Sequence, residues 1–483
     1  MVCEKPRFHP DVITGDGLRP FAERAKDLGK RDCFPVAKDY IFGEMSEKVL
    51  ILYRLRGTGK KTLIGQVLLE MDGAMLRRSA PIIMKEGDTA LDLHLDLITL
   101  GEGGFEFVFI DEVTLVDNFI ETSSFLPERF VAGGMRIVLS GTDSLGFMFA
   151  ENNLLYGLCI TVHTTCIPYR EFDRVLGPSG IDRYIEQGGT MASGWGNTEG
   201  YIGHAMAHNI QHALNQYRYG RRQDELGGST DIVNHTIWNL NLGFVSEVLI
   251  EDGPSEDIGE DDRRELMTAM EGYRYRIDPE EAYAEIVVEY LKLLDFMVDV
   301  DVHRASTEIE TTTRSVITQP GLRYAQAKAF VKDLMEDDRF NRLSEGEHTE
   351  MEKRVMDGIR RRMMRDIVLI ETQTAPPPIE RIRPPVPCGG VDMVIEDYVG
   401  CRIFAMEYGD ASKPHQYRHL IDEEKCAITA YHYGPIEEKC VIYRGETHWE
   451  GEIHYVNVEG YLIGLGDPTA NGSTSSCSHG RSG

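Results

Sequence analysis

Apolar residues fall into short unbroken runs in the first third of this chain, into helical stripes through its middle, and into short strand-like runs near its end. Val49–Tyr53 is one unbroken run, followed by a glycine-bearing turn and by residues 62–71, whose apolar positions recur at helical spacing; this predicts strand, loop and helix in succession. Two further strand-like segments, 107–110 and 136–139, end in Asp111-Glu112 and Ser140-Gly141. Buried strands with polar residues at their carboxyl ends predict a doubly wound parallel α/β sheet, whose ligands sit at those ends.

From 177 to 320 helical periodicity takes over. It is strongest over 279–298, where Glu280, Glu281, Glu285 and Glu289 stand opposite Ile286, Val287, Tyr290, Leu291 and Leu294. Another helix is expected over 344–370. A proline-rich stretch, 375–387, reads as a hinge, 391–465 as strand-rich with turn signals, and 466–483, rich in Gly, Ser and Thr, as a disordered tail. The division that follows is an N-terminal segment 1–45, an α/β domain 46–177, a mainly helical middle 178–320, a second α/β domain 321–465 and the tail 466–483. No internal repeat is apparent.

Composition supports several cores. The chain has 483 residues, 42% hydrophobic and 27% charged, which exceeds the size at which one core keeps growing. No apolar run approaches the roughly 18–20 residues of a membrane span, and the first ten residues lack the apolar stretch of a signal peptide, so no membrane partner and a cytoplasmic location are expected. The 79 acidic against 51 basic residues give a formal charge of −28; that field repels polyanions, so any DNA contact has to be local. Arg360, Arg361, Arg362 and Arg365 form one candidate basic run, although such a run on a helix reads first as a solvated face. Cys3, Cys33, Cys159, Cys166, Cys388, Cys401, Cys426, Cys440 and Cys477 include no Cys-x-x-Cys pair and read as reduced, mostly buried thiols.

The densest chemistry lies between the first strand and its helix. Arg54-Leu55-Arg56-Gly57-Thr58-Gly59-Lys60-Lys61-Thr62 approximates a phosphate-binding P-loop, which needs backbone N–H groups curled at a helix N-terminus, an ammonium for the β and γ phosphates and a hydroxyl for Mg²⁺. Gly57, Gly59 and Lys60 supply the first two. Arg54 stands where the first glycine of the pattern belongs, and Lys61 where the hydroxyl belongs. About fifty residues on, the strand ending in Asp111 and Glu112 offers a carboxylate to organise Mg²⁺ and another to activate water. His204, His208 and His212 would share one face if 202–217 is helical, a spacing open to zinc but without a carboxylate or cysteine to complete the ligand set.

On these residues the chain resembles a family. Tyr53 to Lys60, Phe109-Ile110-Asp111-Glu112-Val113, Val138 to Ser144 and Ile167-Pro168-Tyr169-Arg170-Glu171-Phe172 are similar to successive motifs of prokaryotic AAA-type P-loop ATPases that carry a C-terminal restriction-nuclease-like domain of the PD-(D/E)xK type. The likeness runs from about 16 to 177, recurs from 319 to 465, and between them touches only Tyr184 to Gly189. It implies an AAA-type sheet domain, a helical or winged-helix middle and a nuclease-like α/β end. It further implies that Lys60 binds phosphate with Gly57, Thr58, Gly59, Lys61 and Thr62 around it. Asp111 would hold Mg²⁺, Glu112 polarise water and Ser140 sense the γ-phosphate. The chain departs from the family, which has Gly at Arg54, Arg at Gly57, Thr at Lys61 and an Arg near the Gly157-Leu158 pair.

The same comparison places a nuclease site on two antiparallel strands near the C-terminus, with an Asp on the first and Glu-x-Lys on the second, because i and i+2 on a strand point to one side. Asp392 matches the Asp. Pro414 to Leu420, similar to the family's next helix, fixes a register in which Ala405 replaces the Glu and Glu407 the Lys, while Arg365 replaces a Glu on the preceding helix. The leading expectation is an ATP-binding protein with Mg²⁺ as a weakly held companion and weak hydrolysis coupled to interdomain motion. A non-catalytic scaffold with decayed ATPase and nuclease sites, binding a protein partner or its own copies, and an ATP-controlled DNA nuclease are the alternatives.

Overall fold

A computed structural model describes residues 12–116, 119–177, 180–191, 196–210, 230–251, 260–274, 281–305, 309–375, 382–383, 391–396 and 399–465. Five strands, β1 (Val49–Tyr53), β2 (Ser79–Ile83), β3 (Phe107–Asp111), β4 (Arg136–Gly141) and β5 (Cys159–His163), form a parallel sheet in the order β2-β3-β4-β1-β5. The unbroken apolar runs have a simple cause. Leu50, Leu52, Phe109 and Val138 pack against Leu63, Ile64 and Val67 of α1 (Lys60–Glu70). Ile51, Val108, Ile110, Ile137 and Leu139 pack on the other face against Leu93, Leu97 and Leu100 of α2 (Ala90–Glu102). Both faces are dry, so truncating one of these residues to Ala is expected to cost about 2–5 kcal/mol.

The outer strands β2 and β5 were not foreseen in the pattern: β2 contains Ser79 and Pro81, and the edge strand β5 is only partly buried. The register sets Tyr53 beside Gly141 and Ile110 beside Leu139, so β1, β4 and β3 end side by side. Helices α3 (Ser144–Glu151), α4 (Tyr169–Leu176) and α5 (Gly180–Gln187) follow.

The middle comprises α6 (Thr230–Glu251), α7 (Glu260–Arg274) and α8 (Glu281–Leu293), closed by an antiparallel hairpin of β6 (Met297–Ala305) and β7 (Ile309–Ile317). The helix expected over 279–298 therefore stops earlier. Asp295 adopts a left-handed φ of 53°, its N–H bonds Lys292 O, and the Phe296 N–H bonds Leu291 O. This is the Schellman arrangement that terminates helices, usually with glycine at the left-handed position.

Beyond it run α9 (Pro320–Met335) and the long α10 (Glu345–Thr374). Ser344 and Glu347 form a reciprocal capping box that starts α10 where the sequence places it. A six-stranded sheet, ordered β12-β13-β11-β10-β9-β8, completes the described chain. Its strands are β8 (Ile382–Arg383), β9 (Met393–Glu396), β10 (Cys401–Met406), β11 (Ile436–Tyr443), β12 (His448–Glu450) and β13 (Ile453–Asn457). Strand β9 pairs antiparallel with both β8 and β10, and α11 (Glu423–Tyr433) crosses over to make β11 parallel to β10. The segment Pro414 to Leu420 is not the expected helix. It forms two short 3-10 turns divided at Tyr417, whose φ of −116° and ψ of 0° break the repeat. Helix α12 (Val458–Gly464) packs back on α4 and α10. Phe172, Tyr184, Val248, Phe330, Met364, Phe404 and Leu462 belong to one continuous apolar core. Most of the proline-rich stretch and all of 466–483 lie outside the described residues.

Candidate functional site

The fully buried β1 delivers the chain into a loop that ends at Gly59, which N-caps α1 with a φ of 96°. Gly57 is also left-handed, at φ 82°. A Cβ on Gly59 would meet Met191 Sδ at 2.7 Å and one on Gly57 would meet Thr190 Cβ at 3.3 Å. Conformation and space both exclude a side chain at Gly59 and disfavour one at Gly57.

Partners hold the loop from outside. Tyr201 Oη donates to Arg56 O at 3.0 Å, Met191 N to Gly57 O at 2.8 Å, and Arg31 Nη1 to Thr58 O at 2.7 Å. A trans peptide sets each C=O opposite the next N–H. The N–H groups of Gly57, Thr58 and Gly59 consequently point away from these partners, into the loop, at the positive end of α1 where an anion is favoured. Thr58 Oγ1 donates to Leu55 O at 3.0 Å and is fully buried, so that side chain shapes the loop.

Lys60 is folded back over the loop. Its Nζ donates to Arg54 O at 2.7 Å and Leu55 O at 2.9 Å. Burial pushes the ammonium down to about 8, opposed chiefly by the nearby Glu112 and Asp111 carboxylates. Lys61 Nζ stands 2.9 Å from Asp111 Oδ2, and Ser140 Oγ donates to Asp111 Oδ1 at 2.5 Å. Glu112 sits at φ 54° and accepts from Thr142 N at 3.1 Å and Thr142 Oγ1 at 3.0 Å. Thr62 is half-buried in the first turn of α1. The structure thus brings together Gly57, Gly59, Lys60, Lys61, Asp111, Glu112 and Ser140, with Lys61 and Ser140 both engaged by Asp111.

Arg54, which replaces a glycine of the P-loop pattern, takes a φ of 141°. Its guanidinium lies 2.6 Å from Asp295 Oδ2 and donates to Leu293 O at 3.1 Å and His163 Nδ1 at 2.8 Å. Because His163 Nδ1 accepts, the imidazole proton sits on Nε2, 2.9 Å from Tyr53 Oη. Burial, and next to it the Arg54 charge, holds His163 below its ordinary value. The first residue of the loop is therefore tied to the C-terminus of α8. Neither this tie nor the buried pair of Arg31 with Glu171, at 2.7 Å, carries a local sequence signal.

Near the C-terminus, Asp392 precedes β9, and its Oδ2 accepts from Met406 N at 2.6 Å. Arg365 Nε lies 3.7 Å from Asp392 Oδ1 and donates to Met406 O at 3.3 Å. Ala405 is buried in an apolar layer with Val394, Ile403, Val441 and Tyr455. The Glu407 carboxyl is raised, chiefly by burial and also by Asp392, against the pull of Arg365, Arg361 and His415.

The basic run is engaged within the chain. Arg360 bonds Glu186 at 3.0 Å and Asp357 at 3.2 Å, and Arg362 is buried 3.3 Å from Glu247 and 3.6 Å from Asp366. The expected helix over 202–217 is also not uniform. Thr198–Ile202 is α-helical and Gly203–Ala207 is a π turn, with His204 exposed on it and His208 exposed just after it; His212 lies outside the described residues. Among the described residues these histidines do not form a metal cluster. The described cysteines are thiols, partly or fully buried, as expected.

No family model and no curated protein matches the chain. Among solved structures it is similar to the Aeropyrum pernix Orc1 protein in complex with DNA, at 14% identity over 68% of this chain and 94% of that one, with a TM-score of 0.24. Cdc6p from Pyrobaculum aerophilum gives 12% identity over 68% and 97%, with a TM-score of 0.23. PCH-2 of C. elegans gives 13% over 57% and 66%, with a TM-score of 0.18. Scores this low decide nothing about the chain. The strand order and the loop geometry stand by themselves.

Proposed function

We propose that this chain is an ATP-binding protein of the AAA class, with slow, weakly Mg²⁺-dependent hydrolysis and a nucleotide-linked movement of its middle region. One observation carries the reading: a glycine loop at the end of the buried interior strand β1 opens a helix at Lys60, with the Asp111-Glu112 carboxylates at the end of β3 beside it. Phosphates entering the loop would take Lys60 from the carbonyls of Arg54 and Leu55. Arg54 is the residue latched to Asp295, so a rearrangement of the loop is felt at the end of α8. Asp111 is the metal ligand in this reading, Glu112 the water-polarising base and Ser140 the γ-phosphate sensor. Thr62 is the only hydroxyl residue beside Lys61 in the first turn of α1.

The domain division proposed is 1–45, 46–177, 178–320, 321–465 and 466–483. The C-terminal sheet is read as nuclease-like in fold, supported by three antiparallel strands, a crossover helix and a parallel fourth strand after α10. Its site is read as inert. Arg365 beside Asp392 favours a scaffold role for this part, serving a protein partner or a second copy of the chain, and the tied-up basic run leaves local DNA contact to other surfaces. Isothermal titration with a non-hydrolysable ATP analogue tests the leading reading, and ATP turnover by the whole protein separates it from a wholly non-catalytic scaffold.

A further inference from the structure

In the C-terminal sheet, strand register brings a histidine beside a glutamate and a cysteine of a neighbouring strand. Cys440 of β11 lies directly across from His454 of β13 in the parallel register, and Glu438 is two residues earlier on the same face of β11. A carboxylate oxygen of Glu438, Cys440 Sγ and a ring nitrogen of His454 all lie within 4.8 Å of one another, with Glu438 Oε1 2.7 Å from His454 Nδ1. The imidazole plane is set by Trp449 of β12, whose indole stacks on it at 4.3 Å with a 2° interplanar angle.

We propose that Glu438, Cys440 and His454 form a zinc-binding site. A carboxylate oxygen, a thiolate and an imidazole nitrogen together suit a borderline cation such as Zn²⁺, and three protein ligands leave the fourth tetrahedral position to water. Zinc bonds of about 2.0–2.3 Å require donors about 3.3–3.8 Å apart, so a pair at the 4.8 Å limit closes by about 1 Å, while Glu438 Oε1 and His454 Nδ1, now 2.7 Å apart, move apart to admit the ion. Glu438 and His454 are both partly exposed, and rotation of their side chains supplies the adjustment while the strands hold the backbone. Arg402, beside Glu438 in the β10–β11 register, is the nearby cation. It opposes the metal, but a deprotonated thiol still leaves the four side chains with net negative charge. Binding displaces the S–H proton and any Nδ1 proton to water, so apparent affinity rises with pH.

The test is Co²⁺ titration of the whole metal-stripped protein, followed by absorbance, with Zn²⁺ competition. The proposal expects one equivalent of tetrahedral Co²⁺ with a thiolate charge-transfer band, displaced by Zn²⁺ and lost in Cys440→Ser. Because that thiol is buried and its loss could unfold the sheet, Glu438→Gln and His454→Gln are measured as well, by competition against a chromophoric zinc chelator. Each should weaken zinc by more than the roughly 10- to 100-fold that losing an outer-shell partner costs. Absence of the band, its persistence in Cys440→Ser, or unchanged zinc affinity in both half-buried variants would overturn the proposal and leave only a Glu438–His454 ion pair.

Discussion

The Lys61 ammonium stands 2.9 Å from the Asp111 carboxylate, beside the Ser140 hydroxyl that the same carboxylate accepts. In the nucleotide reading this carboxylate is the one that organises a divalent cation, and the chain supplies a cation of its own. Near the C-terminus of the chain Arg365 stands in the same relation to Asp392, 3.7 Å away.

The Lys61 side chain is 57% exposed, so its pair is worth only about 0.2–1 kcal/mol. The larger effect of Lys61 is that it lacks a hydroxyl to ligate Mg²⁺. Lys61→Thr should therefore raise both the Mg²⁺ dependence of nucleotide binding and the rate of ATP turnover. Steady-state phosphate release across a Mg²⁺ series checks this, and an unchanged rate and unchanged metal dependence would show that Lys61 is not what limits the site.

The Asp392 site should not cut DNA. Hydrolysis needs carboxylates clustered around Mg²⁺ and a polarised water, whereas Ala405 offers no ligand and the Arg365 guanidinium adds positive charge beside Asp392. A strand shifted by two would put Glu407 in the acidic position, but Gly409 would then stand where lysine is required. Supercoiled and linear DNA incubated with the protein over Mg²⁺ and Mn²⁺ series should stay intact; cleavage that disappears in Asp392→Ala would show the site to be active.

How far these features were legible in the sequence depends on how local their cause is. β1, β3 and β4 are continuous apolar runs because both faces are covered, and α10 announces itself through Ser344 and Glu347. β2 and β5 lacked that signal, and the end of α8 was misplaced because the left-handed residue is Asp295 rather than glycine. The P-loop was readable from Gly57, Gly59 and Lys60. Its tie to Asp295 was not, since Arg54 and Asp295 meet only through tertiary packing. The Cys440–His454 juxtaposition depends on strand register, which a search for closely spaced cysteine pairs does not see.

Glu371 on α10 couples the C-terminal part to the N-terminal one: its carboxylate accepts the Tyr169 N–H at the start of α4. Burial pushes this carboxyl up to about 7 from an ordinary 4.5, despite the pull of the Tyr169 N–H and of Arg170. The folded chain therefore holds a proton that the unfolded chain has released. The associated stability is full below about 4.5, falls as pH rises through about 7 and amounts to something on the order of 3 kcal/mol. Glu371→Gln, which mimics the neutral acid, should flatten this part of the profile, as read by denaturant midpoints of wild type and variant between pH 5 and 8. Parallel profiles for the two proteins would remove Glu371 from the account.

Isothermal titration of the whole protein with a non-hydrolysable ATP analogue, with and without Mg²⁺, bears most directly on the nucleotide site. Wild type should bind in both conditions with little difference between them. Lys60→Ala should weaken binding at least about tenfold, because a charge-assisted phosphate contact is worth about 1.5–3 kcal/mol. No heat of binding in wild type, or an affinity unchanged by Lys60→Ala, would contradict the assignment of this loop as the nucleotide site.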